Sequence, residues 1–279
     1  MISRFLGFLF SPFAAVLIAL TMMNGLGTPA SASTTPAASA AAAAAAKAAI
    51  RQLLIGQHGT DHHVSGLSEE IKGQTKVESN TWSGYVDTGT GFTEVNGTWN
   101  EPSVTCGTTE ALAAFWVGID GYTSDTVEQD GTLIECYEGT AYQYTWWEMY
   151  PANAVQVEGE KVAAGDHIYA VVSRSGTRYT LSVTDSTHSA NSFTTTQTCT
   201  SCANTSAEWI AEAPSGYPLA DFGKWKLTSS SVAAASITGT ISTFPYAEIT
   251  MVDSSGAVEA QPSALTDGTS FTDTWERSS

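Results

Sequence analysis

Two glutamates in the stretch SAEWIAEAP, residues 206–214, are groups that could carry acid–base chemistry in this sequence. The run otherwise reads as a strand, whose alternation places Glu208 and Glu212 on the same face as Ile210. A carboxylate set among Trp, Ile and Ala costs free energy to desolvate, which favours a chemical role for it. Glu212 is therefore a candidate proton-transfer group.

Two further polar side chains stand close to aromatic residues. In AYQYTWWEMY, residues 141–150, alternation predicts that Glu148 shares a face with Trp146. Gln129 lies in a polar segment of FWVGIDGYTSDTVEQDGT, residues 115–132. A carboxamide supplies both a hydrogen-bond donor and an acceptor at any pH, so Gln129 could hold a water or a developing oxyanion.

Other familiar reaction centres have less support. Serine hydrolase chemistry needs a nucleophile beside a His base, yet His167 and His188 have no G-x-S-x-G sequence near them. Asp-Thr-Gly at residues 87–89 matches the tripeptide of aspartic peptidases, whose mechanism needs a second copy. We predict a glycine-rich turn there instead. The sequence HGTDHH, residues 58–63, resembles a metal-binding cluster but precedes the predicted domain.

The elements that must position these groups are strands. Runs such as DHIYAVVSR and RYTLSVTD are separated by clusters of Gly, Asn, Asp, Pro and Ser, and the SGT between these two runs indicates a hairpin. Roughly a dozen or more short strands at this spacing are typical of a β-sandwich or barrel. The composition thus predicts an all-β fold.

The N-terminal part of the chain reads as leader sequence. An apolar run over residues 5–20 and the small residues ASA at 30–32 predict a secretory signal peptide over residues 1–32. Residues 33–76 are Ala-rich, then basic and His-containing, and we interpret them as a propeptide. Residues 77–279 form the predicted domain. We expect a secreted, extracellular protein that has no membrane attachment after signal removal.

The charge of the predicted domain restricts its partners. Residues 77–279 carry six Lys and Arg against 25 Asp and Glu, which argues against nucleic acid or an anionic membrane as a partner. Few of these carboxylates can be ion-paired, so we expect weak acid denaturation. We expect neither a metal nor another cofactor, and a monomer.

All four cysteines lie in the predicted domain. An even count in a secreted chain indicates two disulfides, and three pairings are possible. We favour Cys106–Cys136 with Cys199–Cys202, because each pair joins near neighbours in sequence.

Four segments together resemble the glutamic peptidases, or eqolisins, which are secreted endopeptidases that act in acid and are made as preproproteins. These segments are TKVESNTWSGY (75–85), FWVGIDGYTSDTVEQDGT (115–132), YTWWEMYP (144–151) and SAEWIAEA (206–213). The resemblance implies an antiparallel two-sheet β-sandwich of concanavalin-like or jelly-roll-like kind, with a cleft on one face.

The resemblance also implies roles for single residues. It places the catalytic pair on Gln129 and Glu212, with polypeptides as substrates. Glu212 as a carboxylate would take a proton from water and pass it to the leaving amine, while Gln129 would stabilise the oxyanion. The family's acidic position two before Trp146 is Tyr144 here. The positions that match the family's cleft lining are Trp82, Trp116, Asp120, Trp146, Glu148 and Tyr150.

Two alternatives of different classes remain open from the residues. A jelly-roll glycosidase would use Glu148 and Glu212 as paired carboxylates. A carbohydrate-binding β-sandwich without catalysis would stack sugars on exposed tryptophans such as Trp82, Trp116 and Trp146.

Overall fold

The fold is known from a computed structural model that describes residues 69–71, 74–214 and 216–278. The expected signal peptide and nearly all of the expected propeptide, with its histidines at 58–63, lie outside these residues. Within the described part of the chain, no helix has the length and apolar character needed to cross a bilayer.

The described residues form an all-β structure of seventeen strands and two short 3-10 helices, Ser189–Asn191 and Ile241–Thr243. The all-β prediction is confirmed. The strands are β1 (Glu69–Ile71), β2 (Gln74–Ser79), β3 (Trp82–Thr88), β4 (Phe92–Asn100), β5 (Ala111–Ile119), β6 (Val127–Tyr137), β7 (Thr140–Tyr150), β8 (Asn153–Gly159), β9 (His167–Ser175), β10 (Arg178–Asp185), β11 (Phe193–Thr198), β12 (Ser206–Glu212), β13 (Lys224–Ala234), β14 (Ile237–Gly239), β15 (Tyr246–Val252), β16 (Val258–Pro262) and β17 (Phe271–Trp275).

The strands are hydrogen-bonded in one continuous order. Neighbours run β8–β7–β6–β5–β12–β3–β15–β16–β17–β13–β4–β9–β10–β11. Among the paired strands of the described residues, β2 and β15 run parallel and the other pairs are antiparallel. Strands β1 and β2 begin at Glu69 and Gln74, so the described strands start before the expected domain boundary at residue 77.

Alternating side chains divide the interior into two hydrophobic clusters. On β5, Phe115 belongs to the larger cluster, which we call the central core, whereas Trp116 belongs to the smaller one, which we call the aromatic cluster. Side chains of β5 and β13 meet in the central core, where Phe115 stacks on Trp225 with ring centroids 5.2 Å apart. The aromatic cluster covers the opposite face of β3, β5, β6, β7 and β12.

Two glycines allow these strands to pack closely. A Cβ at Gly131 on β6 would lie 2.0 Å from the carbonyl oxygen of Phe115, and one at Gly84 on β3 would lie 2.1 Å from that of Trp209. Gly84 also has a φ of +138°, which side chains rarely adopt. Both positions therefore require glycine for the sheet that carries the candidate site.

Two disulfides fix the loops around this sheet. Cys106 pairs with Cys136 at the end of β6, and Cys199 pairs with Cys202 just before β12. The favoured pairing is confirmed.

Candidate active site

Strand register brings the predicted site residues onto one face. On β6, Gln129 stands opposite Gly118 of β5 and Glu148 of β7. Glu212, the last residue of β12, stands opposite Ala114 of β5. The same face carries Trp82 of β3, Trp116 of β5 and Trp146 of β7.

Gln129 and Glu148 are directly bonded. The Gln129 Nε2 donates to Glu148 Oε2 at 2.8 Å, and the two side chains are 0 % and 1 % exposed. The Gln129 Oε1 is also buried and has no hydrogen-bond partner among the described residues. A carboxamide nitrogen carries two protons, so Gln129 retains one N–H and its oxygen for another molecule.

Glu212 is anchored by tryptophan N–H groups. The Trp116 Nε1 donates to Glu212 Oε2 at 2.8 Å, and Glu212 is 4 % exposed. Burial raises the pKa of Glu212 to about 7, and hydrogen bonds from Trp116 and Trp82 oppose part of that rise. Glu212 is therefore mostly protonated at pH values well below 7.

Glu148 connects Gln129 to Glu212. Burial raises the pKa of Glu148 to about 8, the hydrogen bond from Gln129 lowers it, and the charge of Glu212 raises it further. The two carboxyl groups are thus close enough to interact electrostatically, and a neutral Glu148 avoids repulsion with Glu212.

The Trp116 ring covers the space between these groups. A Cβ at Gly118 would lie 2.8 Å from Trp116 Cζ3, while the indole nitrogen of the same ring reaches Glu212. Trp82 packs edge-on against Trp116 with centroids 5.1 Å apart. Gly118 lacks a side chain, which leaves room for this ring beside Gln129.

The tryptophans expected in the cleft lining are all buried. Trp82, Trp116 and Trp146 are 1 %, 0 % and 2 % exposed, and Tyr150 packs partly buried against the same cluster. Sugar-binding platforms need open aromatic faces, so this burial does not favour the carbohydrate-binding alternative.

Asp120 has contacts of another kind. Its carboxylate accepts hydrogen bonds from the backbone N–H groups of Asn204 at 2.6 Å and Thr205 at 2.8 Å, and its φ is +70°. These bonds hold the segment that leads into β12, so Asp120 positions this segment. The cleft-lining role that the resemblance implies for Asp120 stays a prediction.

The Asp-Thr-Gly sequence and the histidine of the predicted domain described next lie apart from the group formed by Gln129, Glu148 and Glu212. Asp87, the second-to-last residue of β3, lies on the central-core side, and its carboxyl is buried with no hydrogen-bond partner among the described residues. His188 pairs with Asp166 at 2.8 Å near the surface. Two groups of potential metal ligands occur in the described part of the chain, and neither includes Gln129 or Glu212.

Glu208 is a buried carboxyl whose environment the sequence did not reveal. It lies on the face of Glu212, opposite Gly118, and is 0 % exposed. Burial raises its pKa well above the usual range, and a hydrogen bond with the Ser206 side chain lowers it in part. Strand alternation placed Glu208 on this face, but its burial depends on which residue stands opposite.

Comparison with known proteins gives a consistent result. The family model described as the peptidase A4 family matches residues 80–275. Aspergillopepsin-2 of Aspergillus niger is 28 % identical over 214 residues, covering 65 % of this chain and 76 % of that protein. Scytalidopepsin B of Scytalidium lignicola is 33 % identical over 144 residues, covering 50 % and 53 %.

A solved structure shows the same fold. Scytalido-glutamic peptidase, crystallised with a transition state analog inhibitor, superposes with a TM-score of 0.61 at 23 % identity, covering 71 % of this chain and 98 % of that chain.

Proposed function

The chain belongs to the peptidase A4 family of glutamic endopeptidases, and from that premise we propose that Gln129 and Glu212 form its catalytic pair. It hydrolyses peptide bonds in polypeptides, and we propose that it does so in acid. The observation that carries the proposal is the buried group in which Glu148 is bonded to Gln129 and electrostatically coupled to Glu212.

The raised pKa of Glu212 sets the starting point of the reaction. The sequence suggested a cycle that begins from the carboxylate. With its pKa at about 7, Glu212 instead enters the reaction in acid as the neutral carboxylic acid. A neutral carboxyl can donate a proton from one oxygen while it accepts one at the other.

The first step forms the tetrahedral intermediate. Water attacks the scissile carbonyl carbon, Glu212 gives its proton to the carbonyl oxygen, and its other oxygen takes a proton from the water. The free N–H of Gln129 stabilises charge on the carbonyl oxygen, and Gln129 Oε1 holds the attacking water. Glu212 is protonated again when the step ends.

The second step releases the products. Glu212 donates its proton to the amide nitrogen and receives one from a hydroxyl of the intermediate as the carbon–nitrogen bond breaks. The products are a carboxylic acid and an amine. Trp116 and Trp82 donate hydrogen bonds that stabilise any negative charge on Glu212 during these transfers.

We also propose the sheet arrangement, the processing of the N-terminal segments and the oligomeric state that accompany this function. The strands form two antiparallel sheets, which pack against each other as a β-sandwich around the central core. The candidate site lies on the outer face of one sheet. Residues 1–32 serve as the signal peptide of a secreted protein. Residues 33–76 act as a propeptide that is held against the acidic domain by charge, and the mature enzyme is a monomer.

Variants of the pair test the proposal. Cleavage of denatured casein or haemoglobin at pH 3–4 is expected in the wild type with pepstatin present. Glu212→Gln should reduce kcat/KM by about 10²–10⁴-fold, and Gln129→Ala by about 10²–10³-fold. Thermal unfolding confirms that each variant is folded.

The same assay separates the alternatives. Full activity in a folded Glu212→Gln protein would overturn the proposed pair. Release of sugars from polysaccharide, without cleavage of protein, would support a glycosidase that uses Glu148 and Glu212.

A further inference from the structure

Three side chains that can bind a metal ion meet at the turn that follows β10. They are Asp185, the last residue of β10, His188 in the turn itself, and Asp166, which directly precedes β9. One ligand atom from each residue lies within 4.8 Å of the others. Two atoms that bind one zinc ion at about 2.0–2.2 Å lie up to about 4.4 Å apart, so small side-chain movements bring all three to one ion. We call these three residues the turn cluster.

The turn cluster is buried on one side and open on the other. Asp166 and Asp185 are 2 % and 0 % exposed, whereas the side chain of His188 is 55 % exposed. The His188 Nδ1 lies 2.8 Å and 2.9 Å from the two carboxylate oxygens of Asp166. An ion can therefore reach the buried carboxyl groups from the side of the imidazole.

The two buried carboxyl groups lie close enough to repel each other when both are ionised. The ion-pair partner of Asp166 among the described residues is His188, which is positive only when protonated. No Lys or Arg pairs with Asp166 or Asp185 in the described part of the chain. A divalent cation between the carboxylates would remove their repulsion and leave the imidazole neutral.

Other protein groups hold both carboxylates in place. Asp185 Oδ1 accepts two backbone N–H groups of the turn, at 2.8 Å and 2.9 Å, and its Oδ2 accepts from Asn191 Nδ2 at 2.7 Å. Asp166 Oδ2 accepts the backbone N–H of Ala163 at 2.9 Å. Carboxylates that bind metals usually have such outer partners, which fix the orientation of the ligand. The turn cluster is thus ordered without help from an ion.

We propose that the turn cluster binds one zinc ion through His188 Nδ1 and one oxygen each of Asp166 and Asp185, with water as the fourth ligand. One imidazole nitrogen with carboxylate oxygens suits Zn²⁺, whereas Ca²⁺ and Mg²⁺ prefer oxygen ligands alone. The ion takes no part in the proposed hydrolysis, because neither Gln129 nor Glu212 belongs to the turn cluster.

The position of the turn cluster gives the ion a structural role. Asn191, which holds Asp185, accepts a hydrogen bond at its backbone oxygen from Thr145 Oγ1 of β7 at 2.7 Å. Its Oδ1 accepts from the backbone N–H of Lys161 at 3.1 Å. An ion bound to Asp185 would therefore strengthen the connection between β10 and β7, the strand that carries Glu148. Because it binds the folded state, it would raise the stability of the domain.

Zinc titration and crystallography test this proposal at pH 7, where an ordinary imidazole is mostly unprotonated. Isothermal titration calorimetry with ZnCl₂ is expected to show binding at least about tenfold weaker in His188→Gln than in the wild type. Excess zinc should raise Tm of the wild type by about 2–4 °C, and excess calcium should not. In a zinc-soaked crystal, anomalous diffraction should place the ion about 2.0–2.2 Å from the three ligand atoms.

His167→Gln is the matched control, because His167 is exposed and directly follows Asp166 but lies outside the turn cluster. Its zinc affinity and its zinc-dependent Tm should equal those of the wild type. Asp185→Asn should also weaken zinc binding. Since Asp185 is buried, His188→Gln keeps the test valid if that variant does not fold. Zinc held by the histidines at 58–63 would be equal in all these proteins and cancels in the comparison.

Three results would overturn the zinc site. One is unchanged zinc affinity in a folded His188→Gln protein. Another is an anomalous map without an ion at the turn cluster, or with one only where two molecules meet in the crystal. The third is calcium binding that His188→Gln retains, which would indicate a site made of oxygen ligands alone. None of these results depends on peptide cleavage, so they leave the proposed peptidase function untouched.

Discussion

Glu212 is a carboxylic acid whose surroundings oppose its ionisation. Burial among Trp116, Trp82 and neighbouring apolar side chains raises its pKa to about 7, and the two indole N–H groups recover only part of the lost hydration. A proton held to about pH 7 gives a physical reason for activity in acid. The composition of the chain alone did not provide that reason.

Removal of the Trp116 N–H should shift the pH dependence of kcat/KM. This group stabilises the ionised form of Glu212 more than the neutral form, through its 2.8 Å hydrogen bond. Trp116→Phe therefore raises the pKa of Glu212 further, and the alkaline limb of kcat/KM should shift upward by about one pH unit.

The control for this shift is Trp275→Phe, which changes a half-buried indole on β17. The pH dependence of kcat/KM in Trp275→Phe should match that of the wild type. A downward shift in Trp116→Phe would show that the tryptophan does not stabilise the carboxylate.

At the scale of elements, strand alternation was the most informative sequence signal. It correctly grouped Glu148 with Trp146, and Glu212 with Ile210 and Glu208. It could not show which strands become neighbours, so the opposition of Glu208 to Gly118 could not be predicted.

Asp120 illustrates the same limit. Its partners, the backbone N–H groups of Asn204 and Thr205, lie more than eighty residues away in sequence. These contacts form because β5 pairs with β12, and no local pattern marks that pairing. Likewise, the sequence could not indicate that the three site tryptophans are buried, since burial depends on the packing of five strands.

The close approach of β5 and β6 at Gly131 gives a prediction for one element. A Cβ there would meet the Phe115 carbonyl oxygen at 2.0 Å, which forces the strands apart. Gly131→Ala should lower the free energy of unfolding by about 1–3 kcal/mol or more. It should also reduce activity, because Gln129 lies two residues away on the same strand.

Gly107→Ala is the matched control, since a Cβ at Gly107 would meet no atom within 4 Å. Chemical denaturation measures both variants. Equal stability of the two variants would contradict the close-packing explanation.

At the scale of the whole molecule, the structure buries many carboxyl groups whose pKa values are raised. Burial is the first cause of the raised pKa in every case, and cationic partners are few: the ion pairs recorded among the described residues are Lys76–Glu248, His188–Asp166 and Arg277–Asp253. The buried carboxyls with raised pKa values are Asp87, Glu101, Glu128, Asp130, Glu135, Glu148, Glu208, Glu212 and Asp273.

This arrangement makes stability fall as pH rises. From the ordinary carboxyl pKa of about 4 up to folded values that reach about 9 for Asp87 and Glu128, the folded state binds more protons than the unfolded state. The free energy of unfolding therefore decreases across that window and is highest below it. The lowered pKa values of Asp185 and Asp253 act in the opposite sense, only below about pH 4.

Thermal unfolding between pH 3 and pH 8 measures this dependence. Tm is expected to be highest near pH 3–4 and to fall continuously toward pH 8. A Tm that rises from pH 4 to pH 7, as in proteins stabilised by ion pairs, would show that these carboxyls are not buried as described.

The most direct test of the catalytic pair is a crystal structure, at pH 4, with a phosphinic peptide whose tetrahedral centre replaces the scissile amide. Gln129 Nε2 and the Glu212 carboxyl are predicted to lie within about 3 Å of the two phosphinic oxygens, at hydrogen-bond distance. An inhibitor bound with its tetrahedral centre in contact with neither side chain would contradict the assignment of Gln129 and Glu212 to one reaction.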